Sequence, residues 1–347
     1  MDALSSAQNK LLPEMSDLLK KRYQILQAIH QEQPIGRRTL SEFSGMTERD
    51  IRKETDLLRN QQLIEMKTVG MVITEQGEEV LSSLKKFMQE LTGVTDLADK
   101  LKKHLGIAQV VVVPSDSDKA IAVKNQIGEE AARILEKHFV GETKIAVTGG
   151  SSLAAIAKEL KSEKSYPPLQ FIAARGGLGE DVLHQANTIA SDFAEKTGGT
   201  FKTLYLPDHL SEEAYTMMMK EPLIKEMMSL YDQTDLVVHG IGNAQEMAIR
   251  RRSTVEELER ITAGGAVSEA FGYYFDEEGN VVYRIRSAGI QLEQVQKAPA
   301  ILAVAGGRSK ADAIRSYFKN APERTVLVTD EAAAKEILKL NENLGGN

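Results

Sequence analysis

The run Lys144-Ile145-Ala146-Val147-Thr148-Gly149-Gly150-Ser151-Ser152 decides the fold. Lys144–Thr148 reads as a strand without polar alternation, the pattern of a strand covered on both faces. Paired glycines then turn the chain sharply, and two hydroxyl residues open a helical segment. Such a joint aims backbone N–H groups, hydroxyls and a helix N-terminus at one point, an arrangement suited to an anion.

Working outward, the same alternation of apolar runs and helical segments continues from Ala108. Strands are predicted at Gln109–Val113, Gln170–Ala173, Phe201–Leu206, Asp235–His239, Ala300–Ala305 and Thr325–Val328. Helices are predicted at Ala120–His138, Leu153–Lys161, Asn187–Thr197, Pro222–Tyr231, Thr254–Thr262, Lys310–Lys319 and Glu331–Leu340. This order implies an α/β fold with an open, mostly parallel sheet. Tyr273–Phe275 and Val281–Ile285 look like a hairpin attached to it.

Glycines recur where strands end, at Gly149-Gly150, Arg175-Gly176-Gly177-Leu178-Gly179, Gly240-Ile241-Gly242 and Gly306-Gly307-Arg308-Ser309-Lys310. In a parallel sheet these ends share one rim, where ligands bind near a change in strand order. The chemistry of that rim suits a phosphorylated small molecule. Gly149, Gly150, Ser151 and Ser152 supply donors for one phosphate, and Arg175 and Lys310 add full charge from neighbouring turns. Arg250 and Arg308 stand in reserve, and Glu269 is placed to accept from sugar hydroxyls. Each residue also has a bland reading: glycines as close turns, Arg250-Arg251-Arg252 as a solvated helix end, Glu269 as a salt-bridge carboxylate.

The 347 residues, 42% apolar and 27% charged, fit a soluble globular chain of more than one domain. The absence of cysteine removes disulfides, thiolate ligands and cysteine nucleophiles. No pair of histidines has metal-site spacing on a helix, and no metal or cofactor is expected. The start of the chain has no leader pattern and no apolar run reaches ~18 residues, so no membrane partner and a cytoplasmic location are expected. The net charge of −7 argues against a general nucleic-acid coat, but DNA responds to a local basic surface.

Residues 1–90 supply such a surface. A helical stripe over 14–31 ends at Pro34, a short helix opens at Arg37-Arg38 and stops at Gly45, and Thr47 caps a third helix. Two short β runs follow within Leu63–Thr74. Three helices and a small hairpin compose a winged helix-turn-helix whose third helix is expected to enter the major groove of double-stranded DNA. Arg49, Arg52 and Lys53 are the expected DNA-facing residues, with Arg37, Arg38 and Lys67 on flanking phosphates. Glu48, Asp50, Glu54 and Asp56 dilute this field and leave open a plain protein-interaction domain. Residues 91–107 are expected as a helical linker, with the broken apolar stripe of Glu75–His104 contributing to a dimer. Residues 108–347 form the effector-binding and oligomerisation domain.

Longer signatures point to a family. They are Leu11-Leu12-Pro13, Glu32-Gln33-Pro34-Ile35-Gly36-Arg37-Arg38, Ala146-Val147-Thr148-Gly149-Gly150 and Ala174-Arg175-Gly176-Gly177-Leu178-Gly179-Glu180-Asp181 with Gln185-Ala186-Asn187-Thr188-Ile189. Further on stand Val237-Val238-His239-Gly240-Ile241-Gly242, Ala270-Phe271-Gly272-Tyr273-Tyr274-Phe275 and Val304-Ala305-Gly306-Gly307. Over nearly its whole length the chain resembles the sorbitol-operon/deoxyribonucleoside-regulator family of sugar-responsive transcription factors, in its branch that represses glycolytic genes.

The resemblance implies a repressor released from its operator by fructose-1,6-bisphosphate, and a sugar-binding domain similar to the sugar-phosphate isomerase and glucosamine-6-phosphate deaminase fold. It places the phosphate pocket on Gly149, Gly150, Ser151, Ser152, Arg175, Leu178 and Gly179, with Arg250, Glu269 and Lys310 completing the sugar environment. Serine replaces the family's threonine at both hydroxyl positions, keeping the donors and dropping a methyl each. Arg308 stands where the family has a small polar residue. The resemblance also implies homodimers and a dimer of dimers on DNA.

The alternative is a sugar-phosphate isomerase or deaminase, which needs acid/base groups beside the same phosphate turn. The deaminase arrangement Asp-Gly-His after Gly-x-Gly has here the counterpart Asn243-Ala244-Gln245, with neither carboxylate nor imidazole. No catalytic residue is therefore assigned, although Asp181, Glu180, Glu269 and His239 are the titratable candidates.

Overall fold

A computed structural model describes residues 11–160, 165–177, 181–207 and 210–344. The N-terminal unit begins with helix α1 (Pro13–Glu32), then α2 (Arg37–Ser44) and α3 (Glu48–Asn60). Strands β1 (Ile64–Lys67) and β2 (Gly70–Ile73) pair antiparallel as the wing, and α4 (Glu75–Thr92) follows. Gly45 ends α2 in the left-handed conformation. Thr47 caps α3 as the sequence predicts, its hydroxyl accepting from the Asp50 amide at 3.2 Å. Ile25, Ile29, Leu40, Ile51, Leu58, Ile64 and Met71 close a single core beneath these elements.

Gly93 breaks the helix, and α5 (Val94–Leu105) follows. The helix expected within the 91–107 linker packs onto the larger domain. Val94 and Leu101 are buried in its core, with Leu97 and Leu105 packed against it. Met88 and Leu91 of α4 are buried as well. Much of the stripe that suggested a dimer seam is therefore covered within the chain, because period alone does not tell which surface covers an apolar face.

The larger domain is built on β3 (Gln109–Val113), β4 (Thr143–Val147), β5 (Leu169–Ala173), β6 (Thr200–Lys202), β7 (Leu236–Gly240), β12 (Ala300–Val304) and β13 (Thr325–Asp330). They form one sheet in the order β3-β13-β12-β7-β4-β5-β6, every pairing parallel. The expected strand Phe201–Leu206 is shorter, an edge strand with all three residues exposed. Two separate apolar cores lie against this sheet, as predicted from strands lacking alternation. Helices α6 (Ile121–Glu136), α7 (Ser151–Glu159) and α8 (Ala186–Thr197) follow β3, β4 and β5.

After β6 come α9 (Glu212–Met218) and α10 (Pro222–Asp232). A second, antiparallel sheet contains β8 (Gly242–Asn243), β9 (Ser268–Ala270), β10 (Tyr273–Phe275) and β11 (Val281–Arg284), so the expected hairpin is two strands of four. Helices α11 (Ala244–Arg250) and α12 (Val255–Ala263) lie between β8 and β9. The remaining helices are α13 (Leu292–Lys297), α14 (Ala311–Phe318) and α15 (Glu331–Leu344). Strand order reverses at β4, which lies between β5 and β7. The adjacent turns after β4 and β7 therefore open the crevice in which such sheets bind ligands.

Candidate functional site

A cavity of about 340 Å³ occupies that crevice. Its lining includes Gly149, Gly150, Ser151 and Ser152 after β4, Arg175 after β5, Gly240 and Gly242 around the end of β7, and Lys310 after β12. Thus the four glycine-marked turns lie at the carboxyl ends of their strands, and three of them line the cavity directly, with Lys310 extending the fourth. Leu178, Gly179 and Glu180 lie outside the described residues.

The turn after β4 is held by the Gly150 amide, which donates to the His184 carbonyl at 2.8 Å. Ser151 and Ser152 then form the first turn of α7, so the positive end of that helix borders the cavity. Arg175 is buried, and its guanidinium donates to the Phe271 carbonyl, fixing a cation in the cavity wall. Lys310 lies opposite on a short turn. Burial pushes its ammonium below the ordinary lysine range, Lys124 and Arg250 push the same way, and Glu246 and Asp118 oppose them.

Arg250, Arg251 and Arg252 all line the cavity. Arg251 was not assigned to the site from sequence. Its guanidinium donates to Glu269 Oε1 at 2.7 Å, and both side chains are 5% exposed. The Gly272 amide donates to the same oxygen at 2.6 Å. Glu269 thus lines the cavity and is a salt-bridge carboxylate. Asp181 and Glu246 are the other acidic lining residues, and Asp181 meets His184 Nδ1 at 2.6 Å. Arg308 instead pairs with Glu336 at 3.5 Å and is not among the lining residues.

His239 lies inside the core, fully buried between the rings of Phe271 and Tyr317. Its Nδ1 faces the Gly240 carbonyl at 3.0 Å and its Nε2 the Tyr317 hydroxyl at 3.2 Å. Burial lowers its pKa to about 4, against a weaker rise from the Gly240 bond. The imidazole is thus a neutral group of the core, and it is not among the residues that line the cavity. Asn243 caps α11, accepting from the amides of Gln245 and Glu246 at 3.0 and 3.3 Å. Among the described residues no acidic and histidine cluster could hold a metal ion.

The second surface is α3. Three of its acidic residues are paired by cations of the framework: Lys21 meets Asp50 at 2.8 Å, Arg22 meets the buried Glu54 at 2.9 Å and Arg37 meets Asp56 at 2.5 Å, with Asp50 and Asp56 half-exposed. The bond to Lys21 holds Asp50 below the usual carboxylate range. Arg49, Arg52 and Lys53 remain exposed on the helix, with Lys67 exposed on the wing. Of the expected phosphate contacts, Arg38 is exposed beside Glu42, while Arg37 is engaged as a clamp between α2 and α3. Of the four acidic residues that left the domain's role open, Asp50, Glu54 and Asp56 are thus paired with cations of its own framework, while Glu48 is exposed.

Fold and site together define a class: a helix-turn-helix DNA-binding domain joined to a ligand-binding α/β domain. Residues 18–88 match the family described as "CggR N-terminal DNA binding domain", and residues 89–339 match "Putative sugar-binding domain". The chain is 45% identical to the central glycolytic genes regulator of Bacillus subtilis, covering 98% of this chain and 99% of that one. It is 44% identical to the protein of the same name from Priestia megaterium, over 98% and 99%. A SorC family transcriptional regulator from Enterococcus faecalis superposes with a TM-score of 0.66 at 43% identity, covering 70% of this chain and 99% of that structure. The full-length sorbitol operon regulator of Klebsiella pneumoniae covers 92% of this chain and 98% of its own, with a TM-score of 0.65 at 17% identity, and shows the shared fold. The chain belongs to the central glycolytic genes regulator family. It is a DNA-binding transcriptional regulator, and these relatives are regulators, not enzymes.

Proposed function

We propose that this protein represses glycolytic genes by binding operator DNA through α3, and that fructose-1,6-bisphosphate in the cavity releases it. The observation that carries the reading is the convergence of the Gly149–Ser152 turn, Arg175, Arg250, Arg251, Arg252 and Lys310 on one cavity. One phosphate takes the turn and the N-terminus of α7, and the other takes the cations near Lys310. Glu269 and its neighbouring carboxylates accept from the sugar hydroxyls.

The parallel sheet with its phosphate turn is read as similar to the sugar-phosphate isomerase and glucosamine-6-phosphate deaminase fold, used here for sensing. The DNA-reading unit spans 1–90, and the effector-binding and assembly unit takes in α5 and runs to 347. The protein acts in the cytoplasm as a homodimer and as a dimer of dimers on paired operator sites. Bound sugar favours the arrangement that grips DNA poorly, and a tenfold loss of operator affinity needs only about 1.4 kcal/mol of coupling.

Calorimetry tests the ligand. The wild type should show saturable heat with fructose-1,6-bisphosphate, and Lys310→Ala should weaken it by at least tenfold while circular dichroism stays unchanged. No saturable heat with folded, phosphate-free wild type would contradict the reading.

A further inference from the structure

The loop from Pro114 to Ala120, between β3 and α6, touches both functional units. On the cavity side, Asp118 grips the turn that presents Lys310. Its Oδ2 accepts from the Ser309 amide at 2.8 Å and its Oδ1 from the Ser309 hydroxyl at 3.0 Å. A Cβ on Gly307, whose φ is +99°, would lie 2.1 Å from Asp118, so only glycine permits this approach. One residue earlier, the Ser117 amide and hydroxyl donate to Asp330 Oδ2 at 2.9 and 2.5 Å. That oxygen also accepts from the Gly307 amide at 2.6 Å.

On the other side, the same loop abuts the helix-turn-helix. Gln24 of α1 donates to the Ser115 hydroxyl at 2.6 Å. The Lys119 carbonyl lies 2.7 Å from where a Cβ on Gly45 would sit, at the glycine that ends α2 and opens the turn before α3. Ala122, two residues beyond the loop, belongs to the core of the DNA-reading unit. Asn125 and Gln126 of α6 donate to Glu32 and Gln27 of α1, each at 3.0 Å, so the helix leaving the loop is fastened to the same unit.

We propose that the 114–120 loop is a mechanical link that carries occupancy at Lys310 to the turn of the helix-turn-helix, with Asp118 as its positioning residue. The link lies within one chain and acts beside any change in assembly. It rests on the proposed sugar site only for its trigger. A shift of the Gly307–Lys310 turn draws Asp118 and Ser117 with it, and a seven-residue loop bonded at Ser115 and packed against Gly45 at Lys119 transmits that shift to Gly45 and Gln24. Coupling of this kind needs two arrangements that the ligand distinguishes.

Two measurements on the full chain test the link. Hydrogen exchange of the sugar-free protein should show Asp118→Ala raising amide exchange at least threefold at 306–311 and also at 43–47. A change confined to 306–311 would overturn the link, whatever the ligand proves to be. Gln24→Leu combined with Ser115→Gly touches neither binding surface. It should keep affinity for fructose-1,6-bisphosphate and sugar-free operator affinity within about threefold, while the loss of operator affinity on adding sugar shrinks at least fivefold. An undiminished sugar effect in that variant would overturn the link. Absence of sugar binding by the wild type would instead count against the sugar reading, leaving the exchange result to decide the link.

Discussion

Arg22 Nε donates to Glu54 Oε2 at 2.9 Å, tying α1 to a carboxylate on α3 that is 2% exposed. This bond joins the two helices at a buried position of α3. Truncating Arg22 leaves that buried charge without its partner, the costly way to break an ion pair. Arg22→Ala should therefore destabilise the DNA-reading unit by about 3 kcal/mol, measured by urea unfolding. Glu54→Gln should cost less, because no unpaired carboxylate remains.

The exposed edge of α3 leads to a prediction about DNA. Arg52→Ala and Lys53→Ala should each weaken operator binding by at least fivefold without moving the melting temperature. A side chain that meets only phosphate should lower the salt slope of binding by about one unit, and one that reads a base edge should relax sequence preference as well. Arg37→Ala should behave differently. It loses the bond to Asp56 and should lower stability together with DNA affinity.

Inside the cavity, Arg251 and Glu269 form a coupled pair, so their substitutions should not add. Arg251→Ala leaves Glu269 facing the ligand phosphates without its counter-charge and should weaken sugar binding more than Glu269→Gln. In calorimetry the double variant should bind better than the sum of the two losses predicts.

His239 gives a pH signature. Its folded-state pKa, about 4, lies below the ordinary value of 6.5, so the unfolded chain takes up the proton first as pH falls. Its contribution to stability is complete above pH 6.5 and is lost progressively down to about pH 4. Between pH 7 and pH 5 this residue should account for a loss of about 2 kcal/mol. Urea unfolding at the two pH values should show a correspondingly smaller loss in His239→Asn than in the wild type.

Much of this was legible in the residues. The apolar runs of Gln109–Val113 and Ala300–Val304 carry no alternation, and both are strands of the all-parallel sheet. The glycine turns marked the rim that holds the cavity because strand-to-helix joints put them at one end of a parallel sheet. Thr47 announced the start of α3 by its capping chemistry.

What stayed hidden depends on pairing across long separations. Arg251 is 18 residues from Glu269 in sequence, and nothing local in three consecutive arginines tells which one turns inward. The stripe of Val94–Leu105 shows an apolar face but not its partner, which is the chain's own sheet domain. The charges of α3 summed to a weak field in sequence, while in the fold Lys21, Arg22 and Arg37 sort them.

The central claim is that a doubly phosphorylated sugar in the β4–β7 crevice loosens the grip of α3 on DNA. Titration of operator DNA with the full-length protein, with and without saturating fructose-1,6-bisphosphate, tests it most directly. The account predicts an operator affinity at least tenfold lower with sugar, and Lys310→Ala should need at least tenfold more sugar for the same effect. Equal operator affinity in both titrations, for protein that calorimetry shows to be sugar-loaded, would contradict it.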